Sequence, residues 1–182
     1  MKFSKSLTLF LLAFLVLGIT SQVDAQEDKS KRKSPPAVAT ASTGGLTITI
    51  DYSSPAVKGR KVVGNLIPNG KVWRLGANEA TTFEVDQTVM INGNILKPGK
   101  YAMFVEQDGG DWTYIFNKNP DQWGAYKYDK SLDALRVDVS PAKSSDFAER
   151  MKFDIQETKA GEAVVVFNWE NIETEFKVLF AK

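Results

Sequence analysis

The chain has 182 residues, with 23 lysines and arginines, 22 aspartates and glutamates, and neither histidine nor cysteine. Without those two residue types, Ser-His-Asp and Cys-His catalysis, histidine-ligated metal or haem sites, and disulfides are all excluded. Without its first 25 residues the chain has 21 basic and 21 acidic residues, and the basic ones are dispersed except at residues 29–33. This balance argues against nucleic acid or an anionic membrane as the main partner. No glycine-rich phosphate loop is present, and no cofactor or metal site is expected.

The first 25 residues have the pattern of a secretory signal peptide. Lys2 and Lys5 supply a basic start, residues 7–19 form a dense apolar run, and Val23 and Ala25 occupy the −3 and −1 positions of an A-x-A-like cleavage site. The apolar run is short for a membrane span and no stop-transfer segment follows. The sequence therefore predicts a signal peptide over residues 1–25, no transmembrane segment after its removal, and a periplasmic or secreted bacterial protein.

The next segment, residues 26–43, reads QEDKSKRKSPPAVATAST and contains almost no large apolar side chain. A charge cluster, a Pro-Pro pair and an Ala/Ser/Thr run cannot bury enough apolar surface to fold alone. The composition predicts a flexible leader over residues 26–43, followed by a single domain over residues 44–182.

From residue 44 onwards, apolar and polar residues alternate with a period of two, as in β-strands. Residues 81–91 (TTFEVDQTVMI) are predicted as one long strand, and the apolar run at residues 164–167 predicts a central strand. Turn signals recur about every ten residues, and Asn92-Gly93 and residues 108–111 are typical hairpin turns. Residues 141–149 are the one candidate for a short helical turn. The pattern predicts an all-β fold, an antiparallel β-sandwich or flattened barrel of about nine or ten strands with at most one short helical turn.

The alternation breaks in KVWRLGANEATTFEV, residues 71–85. Arg74 and Glu79 lie five positions apart across a Gly-Ala pair, so a bend there would let them form an ion pair that fixes a corner between strands. Asn78 is suited to a left-handed corner position. Alternatively, the stretch forms a binding pocket in which Arg74 donates hydrogen bonds, Asn78 and Glu79 orient the ligand, and Trp73 is the floor.

A second irregular stretch, FNKNPDQWGAYKYD, covers residues 116–129 and is long for a hairpin connection. It carries Trp123 and Tyr126 among amides and carboxylates, the combination that stacks on sugar rings and bonds their hydroxyls. The alternative is that both aromatic rings fold back to cap the open end of the sandwich. The candidate ligand-binding residues are therefore Trp73, Arg74, Asn78, Glu79, Trp123 and Tyr126.

The ordered motifs GRKVVGNLIPNGKVWRLGANEATTFEV, LKPGKYAMF and WTYIFNKNPDQWGAYKYD resemble the bacterial domain-of-unknown-function family 2911. The resemblance extends over residues 46–182. It implies an exported, mostly β domain, found chiefly in the Bacteroidetes group. It implies no activity and no catalytic positions, because the family has no agreed function.

Three functions remain compatible with these observations. The leading hypothesis is a non-enzymatic module of the cell envelope that binds a small polar ligand or glycan. The second is a structural module that binds an envelope protein. The third is a hydrolase that uses paired carboxylates, for which Glu79 with Glu84, Asp121 with Asp129, and Asp108 with Asp111 are candidates by count alone.

Overall fold

The structure, a computed structural model, describes residues 28–181, so the predicted signal peptide lies outside the described residues. Ten strands and two short 3-10 turns (Lys29–Lys31 and Lys130–Leu132) make up the regular structure of that part of the chain. The strands are β1 (Pro36–Thr43), β2 (Leu46–Ser53), β3 (Thr81–Val85), β4 (Val89–Ile91), β5 (Asn94–Leu96), β6 (Gly99–Gln107), β7 (Trp112–Asn117), β8 (Asp133–Val139), β9 (Ala142–Lys159) and β10 (Glu162–Phe180).

The strands form two antiparallel sheets that pack face to face. The first has six strands in the order β1-β2-β3-β6-β7-β8, and the second has four in the order β5-β4-β10-β9. Phe83 and Phe116 of the first sheet contact Phe176 of the second, at ring-centroid distances of 6.2 and 6.0 Å. The predicted all-β antiparallel sandwich is confirmed, and the sheets do not close into a barrel.

Several local sequence signals are confirmed. Asn92 and Gly93 have φ of 45° and 86°, and they join β4 to β5 as the hairpin signal indicated. The turn at residues 108–111 joins β6 to β7. The apolar run at residues 164–167 lies in β10, an interior strand between β4 and β9, which explains why it is apolar on both faces.

The prediction of a flexible leader over residues 26–43 is wrong for its second half. Pro36–Thr43 is strand β1, and all eight of its residues pair with β2. Ala39 and Thr43 are buried on its inner side. A segment of small residues is ordered here because the neighbouring strand supplies its hydrogen bonds and its buried surface, which composition alone does not reveal.

Two further element predictions are wrong. Residues 141–149 form no helical turn but begin β9, because Ala142 and Lys143 pair with the bulged part of β10 and this pairing overrides the local capping signal. Residues 81–91, predicted as one long strand, are divided between β3 in one sheet and β4 in the other. The apolar residues of both parts still face the shared core.

Candidate functional site

The outer face of the six-stranded sheet carries a small apolar cluster and, beside it, a cavity. The loop between β7 and β8 packs over this face, with Tyr128 edge-on to Phe104 at a centroid distance of 5.3 Å. The adjoining cavity has a volume of about 590 Å³, within the range of small-molecule sites. It is lined by Lys29, Pro36, Ala37, Val38, Asp51, Tyr52, Ser53, Glu79, Ala80, Thr82, Lys100, Pro120, Asp121 and Gln122.

The strand register places part of this lining in one row across the sheet. Val38 on β1 pairs with Asp51 on β2, and Asp51 pairs with Thr82 on β3. Lys100 of β6 extends over Asp51, with Nζ 3.4 Å from its carboxylate. Ammonium and carboxylate groups therefore stand beside small apolar side chains, a mixture that suits a polar, uncharged or weakly charged ligand.

Two polar atoms of the cavity residues have no partner. Thr82 Oγ1 and Gln122 Oε1 are both buried, and neither makes a hydrogen bond within residues 28–181. Gln122 is anchored by its other side-chain atom, since Nε2 donates to the carbonyl of Asn119 at 2.7 Å. A buried polar atom without a partner costs about 1–3 kcal/mol, so the two atoms mark a place where the fold gives up stability.

The structure brings the two irregular stretches of the sequence together. The amide of Gly124 donates to the carbonyl of Asn78 at 3.1 Å, and the amide of Ala80 donates to the carbonyl of Gln122 at 3.0 Å. Between these bonds, Glu79 and Trp123 form an antiparallel bridge. This short two-stranded contact holds the wall of the cavity.

The corner before this contact is built from left-handed backbone. Leu75 and Asn78 have φ of 51° and 59°, which confirms the corner position predicted for Asn78. Its side-chain amide donates to the carbonyl of Ser34 at 3.2 Å. A Cβ on Gly76 would lie 3.0 Å from the carbonyl oxygen of Ser53, so the backbones approach more closely here than a side chain allows.

The predicted Arg74–Glu79 ion pair is wrong. Glu79 instead pairs with two residues of the N-terminal segment, Lys29 at 3.0 Å and Arg32 at 2.7 Å. Burial raises the pKa of the Glu79 carboxyl, but its own backbone amide and the bonds from Lys29 and Arg32 outweigh that effect and lower the pKa to about 2. Because the backbone bends at the left-handed residues that follow Arg74, its side chain lies against Gly124 and not beside Glu79.

The aromatic residues separate into core and surface. Trp73 is only 9% exposed and stacks on Trp169 at 5.8 Å, so it belongs to the core and is not the floor of an open pocket. Trp123 is 52% exposed and Tyr126 is 83% exposed, so neither folds back as a cap. The Arg32 guanidinium lies over the Trp123 ring at 5.8 Å, which places Trp123 at the rim of the cavity beside Glu79.

Sequence reasoning missed most residues of this site, among them Lys29, Arg32, Thr82 and Gln122. The first two lie in the segment predicted to be a flexible leader, and their opposite charge to Glu79 was the only signal available. Thr82 alternates with Thr81 and Phe83, so its outward direction follows from the strand pattern, although its lack of a partner does not. Gln122 lies in the irregular stretch that was singled out, but its role required the fold.

Comparisons with known proteins give one match. The model of a family described as a protein of unknown function, DUF2911, matches residues 34–178 and so includes β1 and both irregular stretches. Neither a curated protein nor a solved structure matches the chain. Within residues 28–181, no helix is long and apolar enough to cross a membrane.

Proposed function

The chain belongs to the DUF2911 family of proteins of unknown function, and we propose that it is a non-enzymatic module that binds a small polar ligand or glycan in the cell envelope. The observation that carries the proposal is the 590 Å³ cavity whose lining includes two buried polar atoms without partners, Thr82 Oγ1 and Gln122 Oε1. A ligand rich in hydroxyl groups would supply the hydrogen bonds that these atoms lack.

The charge pattern of the lining favours a polyol over a highly charged ligand. Asp51, Glu79 and Asp121 stand near Lys29 and Lys100, so both signs are present at the cavity. Carboxylates accept hydrogen bonds from sugar hydroxyls and ammonium groups donate to them. A small apolar surface from Val38 and the neighbouring prolines and alanines suits the C–H face of a sugar ring.

The rim adds a stacking surface. Trp123 keeps about half of its surface exposed although the backbone on either side of it is fixed by hydrogen bonds to residues 78–80. An exposed, rigidly held indole gives a sugar ring apolar area at little entropic cost. Because Thr82 Oγ1 and Gln122 Oε1 are both shielded from the cavity, binding would require both side chains to rotate toward it.

The proposal is tested by titrating the purified chain with neutral gluco-, manno-, xylo- and chito-oligosaccharides while tryptophan fluorescence is recorded. Trp73, Trp112 and Trp169 are buried, so a change in the fluorescence of solvent-exposed tryptophan reports on Trp123. We expect Thr82→Val to weaken binding by about fivefold or more, through loss of one hydrogen bond.

The matched control is Thr113→Val. Thr113 lies on the same outer face of the same sheet, but its hydroxyl donates to Asp138 at 2.7 Å, away from the cavity. Its substitution should leave binding unchanged. A wild-type signal that survives both Thr82→Val and Trp123→Ala would remove the assigned site. Binding of an envelope protein with no oligosaccharide binding would favour an interaction module instead.

A carboxylate-dependent hydrolase is the second candidate, because Asp51, Glu79 and Asp121 line one cavity. Glycoside hydrolysis needs one carboxyl group that stays protonated to act as the acid. Glu79 is unsuited to that role, since its pKa is lowered to about 2. Release of reducing ends from any oligosaccharide of the panel, abolished by Asp121→Asn, would establish hydrolysis in place of simple binding.

The envelope location rests on the predicted signal peptide over residues 1–25. Fractionation of bacterial cells that express the full chain, compared with a version lacking residues 2–25, tests it. We expect the full chain in the periplasm or medium and the shortened chain in the cytoplasm. Retention of both forms in the cytoplasm would contradict the proposed location.

A further inference from the structure

Arg74 lies half-buried against Gly124, the residue after Trp123, and no carboxylate of the described residues forms an ion pair with it. Within residues 28–181 its guanidinium makes no ion pair and no hydrogen bond, and its Nε atom is buried without a partner. Glu79, the carboxylate nearest in sequence, is already held by Lys29 and Arg32. Of the three guanidinium nitrogens only Nε is fully buried, so the two terminal nitrogens remain open to a ligand.

An unpaired, half-buried arginine is costly, because desolvation penalises its charge without an ion pair to compensate. Burial accordingly lowers the pKa of Arg74, against an opposite influence of Tyr126. Arginine stays protonated even so, and its planar fork binds carboxylate, sulfate or phosphate groups through two parallel hydrogen bonds. An uncompensated guanidinium at this position is therefore suited to bind an oxyanion.

Gly124 and Tyr126 surround the guanidinium of Arg74. A Cβ on Gly124 would lie 3.2 Å from Nη1 of Arg74 and 3.3 Å from the ring of Tyr126. The guanidinium and the phenol ring therefore approach each other over the bare backbone of Gly124, which has φ of 63°. Tyr126 is 83% exposed, so one face of its ring remains free beside the cation.

We infer that Arg74, with Tyr126 beside it, forms an oxyanion subsite, so that the ligand of this protein is a glycan bearing a carboxylate, sulfate ester or phosphate ester. This inference rests on the proposed function and narrows its ligand class. Gly124 follows Trp123 in the chain, so the anion would lie one residue beyond the indole at the cavity rim. A sugar ring on Trp123 and an acidic substituent on Arg74 fit one oligosaccharide.

The test compares four probes by tryptophan fluorescence titration of the purified chain: a galacturonate trisaccharide, the neutral galactose trisaccharide, a sulfated galactoside and galactose phosphate. At least one anionic probe should bind about tenfold more tightly than its neutral counterpart at low salt. The probe with the largest advantage identifies the oxyanion. Arg74→Gln should reduce that advantage to about twofold or less, since both the charge and the fork are lost.

The matched control is Lys127→Gln, which removes an exposed cation from the same loop, and it should leave the advantage intact. Arg74→Lys keeps the charge but loses the fork, so it should bind with intermediate affinity. If Arg74→Gln does not fold, Tyr126→Ala, at an exposed position, replaces it and should weaken anion binding about threefold or more.

The outcomes separate the two proposals. Equal binding of neutral and anionic probes, or an anionic advantage that survives both Arg74→Gln and Tyr126→Ala, would overturn the oxyanion subsite. In the first case the proposed glycan function would stand, because neutral binding remains. Absence of binding by all four probes, together with the neutral panel above, would contradict both.

Discussion

The two faces of β3 differ in how completely their polar groups are satisfied. On the inner face, the hydroxyl of Thr81 is fully buried and donates to the carbonyl of Leu75 at 2.7 Å. On the outer face, the hydroxyl of the next residue, Thr82, is buried without a partner at the edge of a cavity. The inner hydroxyl therefore contributes a satisfied hydrogen bond, whereas the outer hydroxyl costs stability, and under the proposed function a ligand would compensate for that cost.

The largest expected effect lies on the inner face. Phe83 is fully buried and contacts the rings of Phe116 and Phe176, at 5.0 and 6.2 Å. Phe83→Ala would lose transfer free energy and leave a void between the sheets, so the free energy of unfolding should fall by about 3–5 kcal/mol. Urea denaturation followed by circular dichroism measures this. A loss below about 1 kcal/mol would show that Phe83 does not join the two sheets.

The adjacent threonines give a sharper comparison. Thr81→Val should lower the free energy of unfolding by about 1–2 kcal/mol, because it leaves the Leu75 carbonyl without its donor. Thr82→Val should leave it unchanged or raise it by up to about 1 kcal/mol, because it removes an unpartnered buried hydroxyl. Urea denaturation of both variants, in the same buffer, decides this. Equal destabilisation by the two substitutions would contradict the contrast between the faces.

The smallest effect concerns the N-terminal segment that closes the site. Glu79→Gln removes the ion pairs with Lys29 and Arg32, which are partly exposed and screened, so unfolding should become easier by about 1 kcal/mol or less at neutral pH. The rate of amide hydrogen exchange in residues 29–34 should increase measurably, even though the free energy of unfolding of the whole domain changes little. The control substitution is Glu84→Gln. It removes a different ion pair, between the exposed Glu84 and Lys100 at 3.8 Å.

The pH dependence of this difference has a definite sign. The pKa of Glu79 is lowered from 4.5 to about 2 in the folded chain, so its ionised form stabilises the fold. The contribution is fully present above pH 4.5 and is lost as the pH falls to about 2. The stability gap between the wild type and Glu79→Gln should therefore close over that interval. A gap that persists at the acidic end would contradict the role assigned to the ion pairs.

Much of the sandwich could be predicted because strand patterns and hairpin turns are local. Asn92-Gly93 specifies its turn by backbone preference alone, and the alternation of Thr81, Thr82 and Phe83 specifies which side chains face inward. Local patterns failed where pairing with a distant strand determines the secondary structure. Residues 36–43 are a strand only because β2 lies beside them, and residues 141–149 are extended only because β10 does.

The candidate site was predictable in part for the same reason. Trp123 and Tyr126 lie in the irregular stretch that the sequence singles out, and of the two alternatives for their rings, a stacking surface or a cap, their exposure rules out the cap. The partner of Glu79 was not predictable, since Arg32 lies 47 positions away and reaches it only after β1 has joined the sheet. An ion pair between segments so distant depends on the fold, whereas proximity in sequence alone favours Arg74 as the partner.

The most direct test of a ligand site on the outer face is a backbone amide NMR titration of the wild-type chain with the oligosaccharide that binds most tightly. We predict shifts concentrated at Ala80, Thr82, Gln122 and Gly124 and at the Trp123 indole, with the residues of the core unmoved. The same titration of Thr82→Val should show smaller shifts at equal ligand concentration. Shifts confined to the four-stranded sheet, or absent at saturating concentrations of every oligosaccharide, would contradict the account.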